Sequence, residues 1–227
     1  MPEVIFAGPA GRLEGRYQPA EDPNAPIAMI LHPHPQFGGN MNHPMIYNLF
    51  YMFKERGFTT LRFNFRSIGR SQGEFDHGVG ELSDAAAALD WVQTLHPESK
   101  SYWVAGYSFG AWIGMQLLMR RPEIEGFMSI APQPNIYDFA FLAPCPSSGL
   151  IIHGEEDRVS APKDVQVLVD KLHTQKGILI TQRTMAGANH FFQGHEQELL
   201  DECAGYLDAR LRGELIPDNV VKLVGKR

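Results

Sequence analysis

The chain has 227 residues, 44% of them hydrophobic, and a formal net charge of −6. That length fits one α/β domain with a sizeable core. The acidic balance argues against a general affinity for nucleic acid or anionic membrane, and no apolar stretch is long enough to span a bilayer.

Two strand-like segments come first, at 4–7 and 12–18, and glycines at 8, 11 and 15 predict a hairpin or meander. A polar, Pro-rich loop fills 19–26. Ile27-Ala28-Met29-Ile30-Leu31 is a continuous apolar run, short enough for a strand buried on both faces. Over 44–56, Ile46, Leu49, Phe50 and Phe53 share one helical face, and Gly57 ends the helix. A strand is predicted over 58–65. An Ala-rich helix over 82–95 carries Leu82, Ala85, Ala86, Leu89 and Val92 on one stripe. Tyr102 opens a buried strand, and a helix is expected over 111–120, ending before Pro122. Further strands are expected at 127–131, 150–153 and 178–181, with helices at 161–173 and 197–211. The last helix turns Leu200, Cys203, Leu207 and Leu211 inward. Alternation of strands and helices implies one α/β domain built on a mostly parallel, doubly wound sheet flanked by helices. The tail over 213–227 carries a small apolar patch, Val220-Val221-Lys222-Leu223-Val224, readable as an edge strand, a dimer contact or a packed end. A homo-oligomer therefore stays open.

Cys145 and Cys203 are far apart and form no metal-type pair. Residues 1–6 lack a basic region followed by a long apolar one, so reduced thiols and a cytoplasmic location are expected.

Gly106-Tyr107-Ser108-Phe109-Gly110 is the most informative segment. It reads as a strand, a tight turn with a serine at its apex, and the start of a helix: the G-x-S-x-G nucleophile elbow. A serine at its free pKa is a poor nucleophile and needs a base, which in turn needs an orienting acid. In elbow proteins the chain order is serine, acid, histidine. Asp157 follows the strand at 150–153, and His190 follows the strand at 178–181. Both loops leave the carboxyl ends of strands, where ligands bind in open α/β sheets. Ser108 is expected as nucleophile, His190 as general base and Asp157 as the acid that orients it. Glu155 and Glu156 are the rival acids and His195 the rival base.

Two backbone amides should hold the developing oxyanion. One is Phe109, the residue after the nucleophile. The other is expected from His32-Pro33-His34-Pro35-Gln36-Phe37-Gly38-Gly39. Pro33 and Pro35 have no amide hydrogen. Phe37 is the first choice, with Gln36 and His34 as alternatives. His32, His34 and His43 also invite a metal reading. No carboxylate or cysteine lies near them, so a structural or pocket role is expected and no metal. His153, on a strand end, reads as a core histidine. Nothing matches a phosphate loop or dinucleotide fingerprint, so no cofactor is expected.

Taken together, these segments resemble the small, capless bacterial α/β-hydrolases related to dienelactone hydrolases and serine esterases. The resemblance rests on Leu31-His32-Pro33-His34-Pro35 with Phe37-Gly38-Gly39, on Arg62-Phe63-Asn64-Phe65-Arg66 with Gly69-Arg70-Ser71-Gln72-Gly73, on the elbow, on Gly154-Glu155-Glu156-Asp157 and on Ala188-Asn189-His190-Phe191-Phe192. It implies an α/β-hydrolase fold without a large lid, with the triad on Ser108, Asp157 and His190. Ser67 departs from the pattern, which usually has glycine there. Dienelactone hydrolases proper carry a nucleophilic cysteine, so their substrate does not carry over. After 127–131 only a short flap is left, where Tyr137, Phe139, Phe141 and Leu142 either wall an acyl pocket or pack the flap down. The expected activity is hydrolysis of an ester or thioester of a small acyl substrate. A peptidase or amidase of the same fold, and a non-catalytic binding protein, are the alternatives.

Overall fold

The computed structural model describes residues 2–214. Its strands are β1 (Glu3–Gly8), β2 (Gly11–Gln18), β3 (Ile27–Leu31), β4 (Thr59–Phe63), β5 (Tyr102–Tyr107), β6 (Ile124–Ile130), β7 (Ser148–Gly154) and β8 (Ile180–Met185). They form one eight-stranded sheet in the order β1-β2-β4-β3-β5-β6-β7-β8. β1, β2 and β4 pair antiparallel; all pairings from β4 to β8 are parallel. The opening hairpin thus extends one edge of a parallel, doubly wound sheet.

The apolar runs occupy the centre for a simple reason. A parallel strand covered by helices on both faces exposes neither side to water. Every residue of β3, β4 and β5 is buried. The helices are α1 (Pro44–Glu55), α2 (Val79–Leu95), α3 (Phe109–Leu118), α4 (Pro162–His173) and α5 (Glu196–Leu211). α1 and α5 cover one face, and α2, α3 and α4 the other. Ile46, Leu49, Phe50 and Phe53 of α1 are fully buried, each contributing about 1.5–3 kcal/mol of apolar burial.

Several expectations of element bounds and packing shift. β8 begins at Ile180 rather than 178 and continues through Arg183 and Thr184, because an edge strand keeps polar residues. α3 starts at Phe109, directly after the serine. α5 packs through Leu199, Cys203, Tyr206 and Leu207, while Leu211 is exposed. The apolar patch at 220–224 lies outside the described residues. Among the described residues no helix is long and apolar enough to cross a membrane.

The chain leaves β3 for β4 on one side and later enters β5 on the other. The loops after β3 and β5 therefore diverge at their carboxyl ends and open a crevice between them.

Candidate active site

Ser108 sits at that crevice, between β5 and α3. Its backbone is left-handed, with φ 57° and ψ −114°. This conformation is strained for a residue with a side chain. The turn closes tightly on both flanks. A Cβ on Gly106 would lie 2.2 Å from the Gly110 carbonyl oxygen, and one on Gly110 would lie 2.3 Å from that of Leu31. Only glycine fits either position. The Ser108 amide donates to Ile130 O at 2.8 Å, tying the turn to β6.

Asp157 follows β7 and His190 follows β8. The two loops are joined by Glu155 N–H to Met185 O at 2.8 Å and Glu156 N–H to Ala188 O at 2.9 Å. Asp157 Oδ1 accepts the amides of Val159 and Ser160, both at 2.8 Å. Its Oδ2 lies 2.7 Å from His190 Nδ1. His190 Nε2 lies 3.2 Å from Ser108 Oγ. Ser108, His190 and Asp157 are all buried. The hydroxyl, imidazole and carboxyl thus form one hydrogen-bonded row. Glu155 and Glu156 are exposed in the same turn, and Glu155 only caps the Gly187 amide at 3.1 Å. His195 stands at the start of α5 and pairs with Glu198 at 3.0 Å.

The Phe109 amide is the first N–H of α3. Intrahelical bonding leaves it without an acceptor, and no other acceptor meets it among the described residues. The second amide differs from expectation. Phe37 N–H donates to His34 O at 3.1 Å, closing the short 3-10 turn Pro35–Phe37. Gln36 N–H donates to His34 Nδ1 at 3.2 Å, and Gly39 N–H to His34 O at 3.0 Å. Phe37 and Gln36 therefore have their amides engaged. Of the three residues considered, only His34 keeps its own N–H without an acceptor among the described residues.

His32 sets that amide's direction. It is fully buried, and its Nδ1 lies 2.6 Å from Pro33 O, while its Nε2 accepts Phe65 N–H at 3.0 Å. Burial drives its pKa down to about 3, so the ring is neutral with its proton on Nδ1. The Pro33 carbonyl and the His34 amide belong to one trans peptide, whose C=O and N–H point opposite ways. Holding Pro33 O inward turns His34 N–H outward. His153 is likewise a core group, buried against Gln182 and Thr184.

A cleft of about 440 Å3 opens over Ser108 and His190, within the range of small-molecule sites. Phe37, Ile136, Val159 and Phe191 stand exposed around its mouth. Of the flap residues, Tyr137 lines the cleft and stacks on Trp112 at 4.4 Å. Phe139 and Leu142 are instead buried in the core. Among the described residues, the lining includes no Asp, Glu, Lys or Arg. Sequence reasoning missed Gln133, Ile136, Val159 and Phe191; they sit in irregular loops, where no periodicity marks a facing side.

The sequence matches the family described as X-Pro dipeptidyl-peptidase (S15 family) over residues 12–191. The Agrobacterium tumefaciens protein of unknown function ATU1826 is 77% identical with a TM-score of 0.94, the match covering 96% of this chain and 100% of that one. XC6422 from Xanthomonas campestris, an α/β serine hydrolase without lid, is 30% identical with a TM-score of 0.77, over 93% of this chain and 94% of that one. The uncharacterised protein RP471 of Rickettsia prowazekii (strain Madrid E) is 50% identical over 91% of this chain and 89% of its own length. This chain, carrying a serine at the turn between β5 and α3 and only a short flap above it, belongs to the α/β serine hydrolases of the S15 family and has the lid-less form of the fold.

Proposed function

We propose that this protein is a serine esterase acting on a small, neutral acyl ester or thioester. The observation that carries the reading is the row from Asp157 through His190 to Ser108 beneath an open, uncharged cleft. Ser108 Oγ attacks the acyl carbon as His190 Nε2 takes its proton. Asp157 holds the imidazole in the tautomer with Nδ1–H and stabilises the imidazolium. The amides of Phe109 and His34 receive the oxyanion. Collapse of the tetrahedral adduct breaks the bond to the alcohol or thiol, which leaves with the proton from His190. Water then attacks the acyl-serine by the same route, releasing the acid and restoring the serine.

The family match favours a second reading, cleavage after an X-Pro dipeptide. Such a substrate presents a free α-ammonium, and a buried ammonium needs an anionic partner. The lining offers no carboxylate to pair with it. That supports the ester reading over the peptidase one.

The test is a fluorophosphonate probe followed by a panel of p-nitrophenyl esters, acyl thioesters and glycyl-prolyl p-nitroanilide. Labelling is expected in the wild type and absent in Ser108→Ala. Ester turnover should fall by roughly 10³–10⁶ in that variant. Hydrolysis of the dipeptide amide alone would replace the esterase by a peptidase. No labelling and no turnover would leave a binding protein.

A further inference from the structure

Gln133 follows β6 and is 6% exposed, and that small exposure belongs to the cleft it lines. No group among the described residues hydrogen-bonds its side-chain amide. An amide without a protein partner, reached only from the cleft, keeps its hydrogen-bonding capacity for whatever occupies that cleft.

Its mounting is rigid. Pro132 and Pro134 flank it and restrict the backbone. Its carbonyl accepts Ile136 N–H at 3.0 Å and Tyr137 N–H at 2.9 Å. Ser160 Oγ donates to Pro132 O at 2.7 Å, fastening this segment to the Asp157 loop. A fixed backbone carrying an unpaired polar head beside Ser108 is the arrangement of a recognition group.

Two other neutral groups share the cleft. His43 Nδ1 accepts Met45 N–H at 3.3 Å, and His34 Nδ1 accepts Gln36 N–H at 3.2 Å. An imidazole accepting at Nδ1 carries its proton on Nε2 and is a donor there. Tyr107 adds no free donor, because its hydroxyl already donates to His190 O. The free polar valences are thus imidazole donors and one amide that both donates and accepts. None of them is charged.

We propose that Gln133 is a specificity-determining residue that reads a hydroxyl or carboxamide on the acyl group. The substrate is then an ester of a polar-substituted acid rather than of a plain alkanoic acid. This deepens the esterase reading above and rests on it. Gln133 Nε2 donates to the substituent's oxygen, and Oε1 accepts from its O–H or N–H. The apolar rim of Phe37, Ile136, Val159 and Phe191 is left to the remainder of the ester.

The test compares p-nitrophenyl esters of butanoic acid, 3-hydroxybutanoic acid and N-acetylglycine on the wild type, Gln133→Leu and Gln133→Met. In the wild type, kcat/KM for at least one polar ester should exceed that for butanoate by about tenfold or more. In both variants the ratio should fall toward one, and Tm should hold, because no hydrogen bond within the protein has been removed. The hydroxy and acetamido arms tell the two substituents apart. Equal wild-type rates on the three esters, or a preference that survives in both variants, would overturn the proposal and leave the esterase intact. A lower Tm with the same loss on all three esters would overturn it too, marking a structural glutamine. Failure of the fluorophosphonate to label the wild type would instead overturn the underlying esterase reading.

Discussion

The Tyr107 hydroxyl donates to the backbone carbonyl of His190 at 3.0 Å, and its ring lies against the imidazole with centroids 6.0 Å apart. Burial raises the phenol's pKa well above its ordinary value, so the donor proton is retained across the working pH range. The residue before the serine thereby anchors the loop that bears the histidine. Tyr107→Phe keeps the ring and removes only this bond. Stability should fall by about 1 kcal/mol, and kcat/KM on a p-nitrophenyl ester should fall roughly three- to tenfold through kcat. Steady-state kinetics and a thermal melt read both. Unchanged kcat would show that the anchor has no bearing on turnover.

A second prediction separates strain from chemistry at the serine. Ser108 has φ 57° and ψ −114°, a region that glycine enters far more easily than other residues. Ser108→Ala and Ser108→Gly should both abolish turnover, yet differ in stability. The glycine variant should be the more stable by about 1 kcal/mol, since it escapes the backbone penalty. Denaturant melts of the pair decide the point. A less stable glycine variant would mean that the elbow stores no strain.

Much of the architecture is legible in the sequence because each central strand is an unbroken apolar run and each helix has one apolar stripe. The meeting of Ser108, Asp157 and His190 is legible for a related reason. Ser108 and Asp157 follow buried strands and His190 follows the edge strand β8, and parallel strands deliver their carboxyl ends to one rim. Two things are not. β8 is an edge strand, so the polar residues of its second half hide its extent from hydropathy, and the apolar residues place it at 178–181 rather than at Ile180–Met185. Phe37 is chosen over His34 because side-chain pattern carries no information on where an amide points. That direction depends on which loop carbonyls accept Phe37 and Gly39, and on the grip of His32 on Pro33 O.

That grip predicts a pH dependence. His32 titrates near pH 3 in the folded protein and near 6.5 when unfolded. Between these values the unfolded chain binds a proton that the folded chain refuses. Stability is therefore fully present above pH 6.5 and is lost as the pH falls toward 3, by about 1.4 kcal/mol per unit. Burial also lowers the pKa of His34, His43 and His153, which adds to the slope in the same direction. His32→Gln offers one donor and one acceptor without a titrating ring. Its unfolding free energy should fall less steeply between pH 6 and pH 4, by about one proton. An unaltered slope in denaturant melts across that range would clear His32 of the effect.

The remaining prediction concerns Gly39. A Cβ there would lie 2.0 Å from Pro33 O and 2.6 Å from His34 O. Both contacts are with backbone, so a neighbouring side chain cannot turn away to relieve them. Pro33 O and His34 N–H are the two ends of one peptide group. Pushing the oxygen therefore tilts the amide proposed to receive the oxyanion, without touching Ser108 or His190. Gly39→Ala should lower kcat/KM by roughly 10²–10³, the usual effect of losing one such donor. Fluorophosphonate labelling should slow as well, since its phosphoryl oxygen needs the same amides. Gly38→Ala is the matched comparison. Gly38 has φ 83°, and a Cβ there meets nothing within 4 Å, so the change costs about 1 kcal/mol of backbone strain and a far smaller fraction of the rate. If both variants lost turnover equally, the steric route through the Pro33–His34 peptide would be wrong, and general stiffness of the loop would account for the requirement.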